Sequence, residues 1–319
     1  MSGIEEPWPI PRKSYLILEE RIMTKRERID KVFNQELPDR IPIYDKLRND
    51  AAIEYYADRK LTQENKFEVV TRAMEKTIDM TVAVRFPHAE EVIIDDKGFA
   101  WQYSEWTERI KERPFTDLKG AAQFIRKEIR ELNEGGFREG PFTSLKAATW
   151  TERLNQNYAE SILTKNLNLQ KATGGTVITL DSEPGLTTAY SLIGLENFIY
   201  LYADDAPLIS EWLEALCRNE LKRIKLLGTS KELSSYIPYI QVYSDIASNI
   251  GLIFSPHFLE REFFPRLKEV VKMWNKYGCR CYFHSDGNLT PVIPDIIDCG
   301  IMGLHPLAVS YTHLTLPTN

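Results

Sequence analysis

Apolar residues recur along this chain in two rhythms. Short runs that are apolar at nearly every position, each closed by a polar cluster, alternate with longer stretches whose apolar residues return every three or four positions. The first rhythm reads as buried parallel strands and the second as helices laid across them. Six strands are predicted, at 41–44, 80–84, 176–180, 236–243, 279–283 and 301–304. A charged helix is predicted over 24–34, with Ile29, Val32 and Phe33 on one face, Thr24 as N-cap and Glu27 completing a capping box. Further helices are predicted at 66–76, 194–202 and 207–227, the last opening on Pro207 and closed by Gly228. Ser255-Pro256 opens a long helix, kinked at Pro265 and ended at Gly278, and 291–299 reads as a short one. The stretch 115–171 is mostly helical and polar, interrupted by Gly135-Gly136 and Gly140-Pro141. At 91–94 and 99–104 the period changes to strict alternation around Asp95-Asp96-Lys97-Gly98, which signals a β-hairpin.

Strand followed by helix, repeated, predicts an α/β fold of (β/α)8 TIM-barrel type. It is incomplete here, with about six of eight strands, and carries a β-hairpin insertion over the barrel mouth and a helical N-terminal extension. In such folds the loops after the strands converge on one open face, so chemistry is sought at strand C-terminal ends. Those ends carry Asp45, Arg85 with His88, Glu183, Asp245, the run His284-Ser285-Asp286-Gly287-Asn288, and His305.

Composition narrows the function. The 319 residues carry a net charge of −6, which argues against nucleic acid as the main partner, and no apolar run approaches the roughly 20 residues that span a bilayer. Residues 1–22 read as an irregular arm on a cytoplasmic protein, without a signal-peptide core. The four cysteines, Cys217, Cys279, Cys281 and Cys299, lack paired CxxC spacing, so reduced, packed thiols are expected. Glycine-rich phosphate loops are not evident, which leaves nucleotide chemistry unsupported.

Three segments together resemble the uroporphyrinogen decarboxylase (URO-D) superfamily: TKRERIDKVFNQELPDRIPI, EPGLTTAYSLIGLENFIYLYADD, and SDIASNIGLIFSPHFLEREFFPRLKEVV followed by YFHSDGN and GLHPL. The resemblance covers 23–308 and lies closer to the corrinoid-linked methyltransferases than to the decarboxylases. The tail at 309–319 resembles translated adapter sequence and is expected to be non-native, truncating the barrel domain. The decarboxylases carry two arginines after the first strand, which pair with the substrate's carboxylates. Here that position reads Asp45-Lys46-Leu47-Arg48, a poor cradle for a polyanion.

The resemblance implies an enzyme that moves a methyl group between a corrinoid (methylcobamide) and a small thiol or pterin acceptor, working with a corrinoid protein and as a homodimer. In the zinc-dependent members a His-x-Cys pair and a further cysteine bind the metal, which lowers a thiol's pKa from about 8.5 and holds it as thiolate. This chain keeps His284 but has Asp286 in place of the first cysteine. Zinc accepts carboxylate oxygen, so His284 and Asp286 are the expected ligands if zinc is used, although Asp-Gly is also an ordinary turn. His284, Asp286, Asp245 and Glu183 are the expected catalytic groups; Arg85, His88, Asp45, Asn288 and His305 are expected to bind substrate. Two alternatives stand beside this reading: decarboxylation of a porphyrinogen, and a non-catalytic corrinoid-handling protein.

Overall fold

The computed structural model describes residues 22–135 and 156–306. The expected arm up to residue 21, the tail at 309–319 and the breaks at Gly136 and Gly140-Pro141 lie outside the described residues. Helix α1 (Lys25–Phe33) starts at the predicted capping box: Thr24 Oγ1 accepts the Glu27 N–H at 3.1 Å, and the Glu27 carboxylate accepts the Thr24 N–H at 2.9 Å. Helix α2 (Asp50–Ala57), absent from the sequence reading, opens on Asn49, whose side chain accepts the Ala52 N–H at 2.9 Å. Helix α3 (Lys66–Thr77) then leads into strand β1 (Met80–Thr81).

The expected hairpin has a third strand. β2 (His88–Ile94), β3 (Ala100–Glu105) and β4 (Thr107–Glu112) form an antiparallel sheet in sequence order, with Phe99 and Trp101 in the main core. The third strand, TERIKE, has a single apolar residue and so shows no apolar alternation. Helices α4 (Leu118–Asn133) and α5 (Gln156–Ala172) follow, then β5 (Val177–Ile178) and β6 (Leu180–Ser182). Helices α6 (Leu186–Ile193), α7 (Leu195–Asp204), α8 (Ala206–Leu227) and the short α9 (Leu233–Tyr236) lead to β7 (Tyr239–Tyr243). A small hairpin, β8 (Ala247–Ser248) with β9 (Gly251–Leu252), precedes α10 (Pro256–Phe258) and α11 (Phe264–Lys276). Strand β10 (Arg280–His284), α12 (Ile293–Asp298) and β11 (Leu304–His305) complete the described chain.

The strands pair in parallel and in chain order. Tyr44 bridges Met80, β1 pairs β5, β6 pairs β7, β7 pairs β10 and β10 pairs β11. Several predicted limits shift. The run at 80–84 pairs only through Thr81, and the run at 176–180 divides, its first half on β1 and its second on β7. Tyr236 belongs to α9, and 301–303 is extended chain leading to β11. The break in the long helix is a π-helical turn at Leu259–Phe263, and Pro265 follows directly after it in α11.

Alternation along the strands sorts their two faces. Ile240, Val242, Cys281 and Phe283 enter the main core with Trp212 of α8 and Trp274 of α11, both fully buried. The opposite face carries polar residues that satisfy one another: Tyr44 donates to Gln241 Oε1 at 2.6 Å, Gln241 Nε2 donates to Asp181 Oδ1 at 3.0 Å, and the Thr179 and Tyr282 hydroxyls are 3.1 Å apart. All four cysteines are buried free thiols, and burial pushes each of them up, as expected of packed rather than reactive residues.

The N-terminal segment is tied on by one buried carboxylate. Asp79, fully buried, accepts Arg28 at 2.6 Å, Arg40 at 2.7 and 2.9 Å, and the Ile43 N–H at 2.8 Å. Removing one side of such a pair strands the other without compensation. Asp79→Ala is therefore expected to lower unfolding free energy by about 3 kcal/mol, measured by urea titration; a change within error of zero would show that the network is not structural.

Candidate active site

The site begins with register. Tyr243 of β7 pairs with His284 of β10, and His284 pairs in turn with His305 of β11. Just past the strand ends, the Ser244 N–H reaches the His284 carbonyl at 3.0 Å and the Ser285 N–H the His305 carbonyl at 3.2 Å. Asp245 and Asp286 therefore leave their strands at the same level. Oδ1 of Asp245 accepts the Asp286 N–H at 2.9 Å, and Ser285 Oγ accepts the Ile246 N–H at 3.0 Å. Gly287 permits the approach: its φ is +92°, and a Cβ there would sit 2.3 Å from the backbone of Ala247 and Ser248.

Asp245 is held from several sides. Tyr243 donates to Oδ2 at 3.0 Å, the Asp245 N–H reaches Thr187 Oγ1 at 3.1 Å, and the Tyr190 hydroxyl donates to the Asp245 carbonyl at 3.0 Å. His284 is buried between two rings, Tyr243 at 5.2 Å and His305 at 5.0 Å. Its Nε2 faces Asp245 Oδ1 at 3.8 Å, and its Nδ1 is 2.8 Å from Nδ1 of His305. His305 also packs against Tyr44, with ring centroids 4.2 Å apart and the planes tilted by 57°. Asp245, His284 and Asp286 each offer a ligand atom within 4.8 Å of the others, with Asp286 exposed.

Burial shapes the charges here. It pushes both His284 and His305 down to about 4, helped by the positive charge of Lys46, so the two imidazoles are neutral near pH 7. Burial also raises Asp245, and the Asp286 carboxylate adds to the shift. A neutral imidazole beside two close carboxylates is a donor set suited to a divalent cation, which would relieve the repulsion between the acids.

The structure thus gathers His284, Asp286, Asp245 and His305 in one place. Glu183 stands behind them, accepting the Thr187 and Thr188 N–H groups at 3.1 and 3.3 Å and the Ser244 hydroxyl at 3.4 Å, and so fixes the start of α6. The other expected contacts are occupied locally. Asp45 accepts the Lys46 and Leu47 N–H groups at 2.6 and 3.3 Å, and Asn288 accepts the Thr290 N–H at 3.0 Å. Arg85 pairs with Glu108 of β4 at 3.1 Å, although its charge still reaches Asp181, and His88 lies 5.1 Å from the Tyr103 ring. Trp101 Nε1 donates to Asp95 at 2.9 Å, so this ring serves the hairpin sheet and its packing.

Sequence reasoning gives no site role to Tyr44, Gln241 or Tyr243, and none to Lys46 or Asp181 beyond their place at strand ends. Their signal was parity: Gln241 and Tyr243 share a strand face with Tyr239, opposite to the apolar Ile240 and Val242. Burial pushes Asp181 up to about 6 and lowers Lys46, whose charge in turn acts on Asp181, His284 and His305.

Scanning the chain against protein-family models gave no match, and neither did a search of curated protein sequences. Among solved structures it is similar to a methyltransferase from Methanosarcina mazei, with a TM-score of 0.52 and 14% identity over 88% of this chain and 75% of that one. At that identity the likeness speaks to the fold. Among the described residues no helix is long and apolar enough to cross a membrane.

Burial raises Glu183 to about 7 from an ordinary 4.5, so between those values the folded protein holds a proton that the unfolded chain has lost. This group's contribution to stability is therefore full below about 4.5 and is lost as pH rises to about 7. Glu183→Gln is expected to shrink the fall in thermal midpoint across that window; an unchanged pH profile would mean that Glu183 is ionised in the fold.

Proposed function

We propose that this protein is a methyltransferase of the URO-D superfamily, with a (β/α)8-type barrel, that moves a methyl group between a corrinoid and a small thiol. The observation that carries the reading is the Asp245–His284–Asp286 cluster at the C-terminal ends of adjacent parallel strands. The fold likeness to a methyltransferase supports it. A metal-free pterin route loses ground beside it, because Asp245 joins the two expected ligands as a third.

These residues would hold zinc, with His284 giving a neutral nitrogen and the two aspartates giving oxygens. When bound, zinc supplies the charge that keeps a thiol ionised near neutral pH. Three protein ligands leave a position open, and the exposure of Asp286 turns that side of the cluster outward. Tyr243 and the Asp286 N–H hold both oxygens of Asp245, so its orientation is set before any ligand arrives. The half-buried rings of Tyr243 and His305 flank His284, which is itself buried, and so limit the approach of water to it. In the transfer, the thiolate sulfur forms a bond to the methyl carbon as the cobalt–carbon bond breaks, both electrons remain on cobalt, and the thiol's proton has left to solvent. The corrinoid, carried by a corrinoid protein, is a co-substrate in this reading.

The test is zinc-loaded protein mixed with methylcobalamin and a panel of small thiols, followed by the loss of the methylcobalamin absorbance and by detection of the thioether. Turnover is expected, with His284→Ala and Asp286→Ala each reducing it about a hundredfold or more and chelation abolishing it until zinc is restored. Absence of thioether with every thiol, or full activity in His284→Ala, would overturn the reading.

A further inference from the structure

The contact between His284 and His305 assigns a role that the ligand set alone does not. Their Nδ1 atoms are 2.8 Å apart, and the rings are stacked at 5.0 Å with 30° between planes. Two neutral imidazoles can share such a contact only if one donates and the other accepts, because each carries a single proton. Two assignments are therefore available.

If His284 carried its proton on Nε2, that N–H would face Asp245 Oδ1 at 3.8 Å, beyond hydrogen-bond reach. That oxygen already accepts the Asp286 N–H at 2.9 Å, and Oδ2 takes the Tyr243 hydroxyl at 3.0 Å. If the proton is on Nδ1, it has an acceptor at 2.8 Å, and the backbone carbonyl of His305 faces the same side of the ring. The second assignment gives the proton an acceptor within the protein at 2.8 Å, whereas the first leaves it facing solvent and an oxygen out of reach.

We infer that His305 is a positioning residue: its Nδ1 accepts a hydrogen bond from His284 Nδ1–H and so fixes the tautomer in which Nε2 of His284 presents a lone pair to a divalent cation held with Asp245 and Asp286. This rests on the metal reading given above and adds the residue that orients its nitrogen ligand. The partner is a neutral ring, in contrast to the carboxylate or carbonyl that a metal-bound histidine ordinarily finds behind it. His305 then bears its own proton on Nε2. Tyr44, packed against His305 at 4.2 Å and hydrogen-bonded to Gln241 at 2.6 Å, holds that ring in place.

The experiment is a zinc titration of the full chain against a chromophoric chelator, which needs no turnover. His305→Phe keeps a flat ring but has no acceptor; His305→Asn places Oδ1 where Nδ1 stood. Zinc affinity is expected to fall about tenfold or more in the phenylalanine variant and to stay near wild type in the asparagine variant. Equal affinity in wild type and His305→Phe would overturn the inference while leaving the metal site standing; a wild-type protein that binds no zinc would overturn both. Should the phenylalanine variant fail to fold, nitrogen-15 spectra of the zinc-loaded wild type decide the matter. They are expected to show His284 protonated at Nδ1 and coordinated through Nε2, and coordination through Nδ1 would overturn the assignment.

Discussion

The pairing of Tyr243 with His284 is the constraint on which the rest of this structure turns. Side chains alternate along a strand, so a slip of one residue between β7 and β10 would exchange the faces of every residue beyond it. Cys281 and Phe283 would leave the core beside Trp274, and His284 would leave the face it shares with Tyr243. The apolar side holds the register because Ile240, Val242, Cys281 and Phe283 all pack into one continuous core. The packing of one face thus determines the chemistry of the other, and the bond from the Asp286 N–H to Asp245 is the first contact past the strands that depends on it.

The polar face raises a second problem, since titratable groups there are largely out of water. Burying a charge without a partner is costly, and such groups shift toward their neutral forms instead. That is the pattern here: Asp181 is pushed up to about 6, both histidines down to about 4, and Tyr44 and Tyr282 upward. Polarity is retained through hydrogen bonds, running from Tyr44 to Gln241 to Asp181 and from His284 to His305. The unrelieved negative charge collects at the rim, where Asp245 and Asp286 meet, and a cation there would have two carboxylates to balance it.

Much of this was legible in the residues. Five of the six strand runs, the capping box of α1 and the polar clusters at the strand ends are local signals that survive folding, while the run at 41–44 is reduced to a bridge at Tyr44. Three things were not. β4 shows no apolar alternation because TERIKE has one apolar residue, and β3 supplies most of the packing on that sheet. The π-helical turn at Leu259–Phe263 leaves no mark in composition, so the distortion was assigned to Pro265, the residue that ordinarily causes one. Asp245 is legible as a catalytic group at a strand end but not as a companion ligand, because it is 39 positions from His284. Only the parallel pairing of β7 and β10 makes the two neighbours, and pairing is a tertiary fact.

The substitution of Asp286 for the cysteine expected from the resemblance alters the balance of the site. Thiolates donate more electron density to a metal than carboxylates do, so oxygen ligands leave a bound cation more electron-deficient and better able to stabilise an anion beside it. A carboxylate also discriminates less sharply among divalent ions, which places more of the selectivity on the single nitrogen ligand. That makes the setting of His284 decisive. Its ring lies between Tyr243 and His305, one nitrogen is 2.8 Å from a neighbouring imidazole, and the other faces Asp245, so its rotation is constrained from both sides. In the proposed metal site, where two of the donors are oxygens, the placement of the one nitrogen would carry the selectivity.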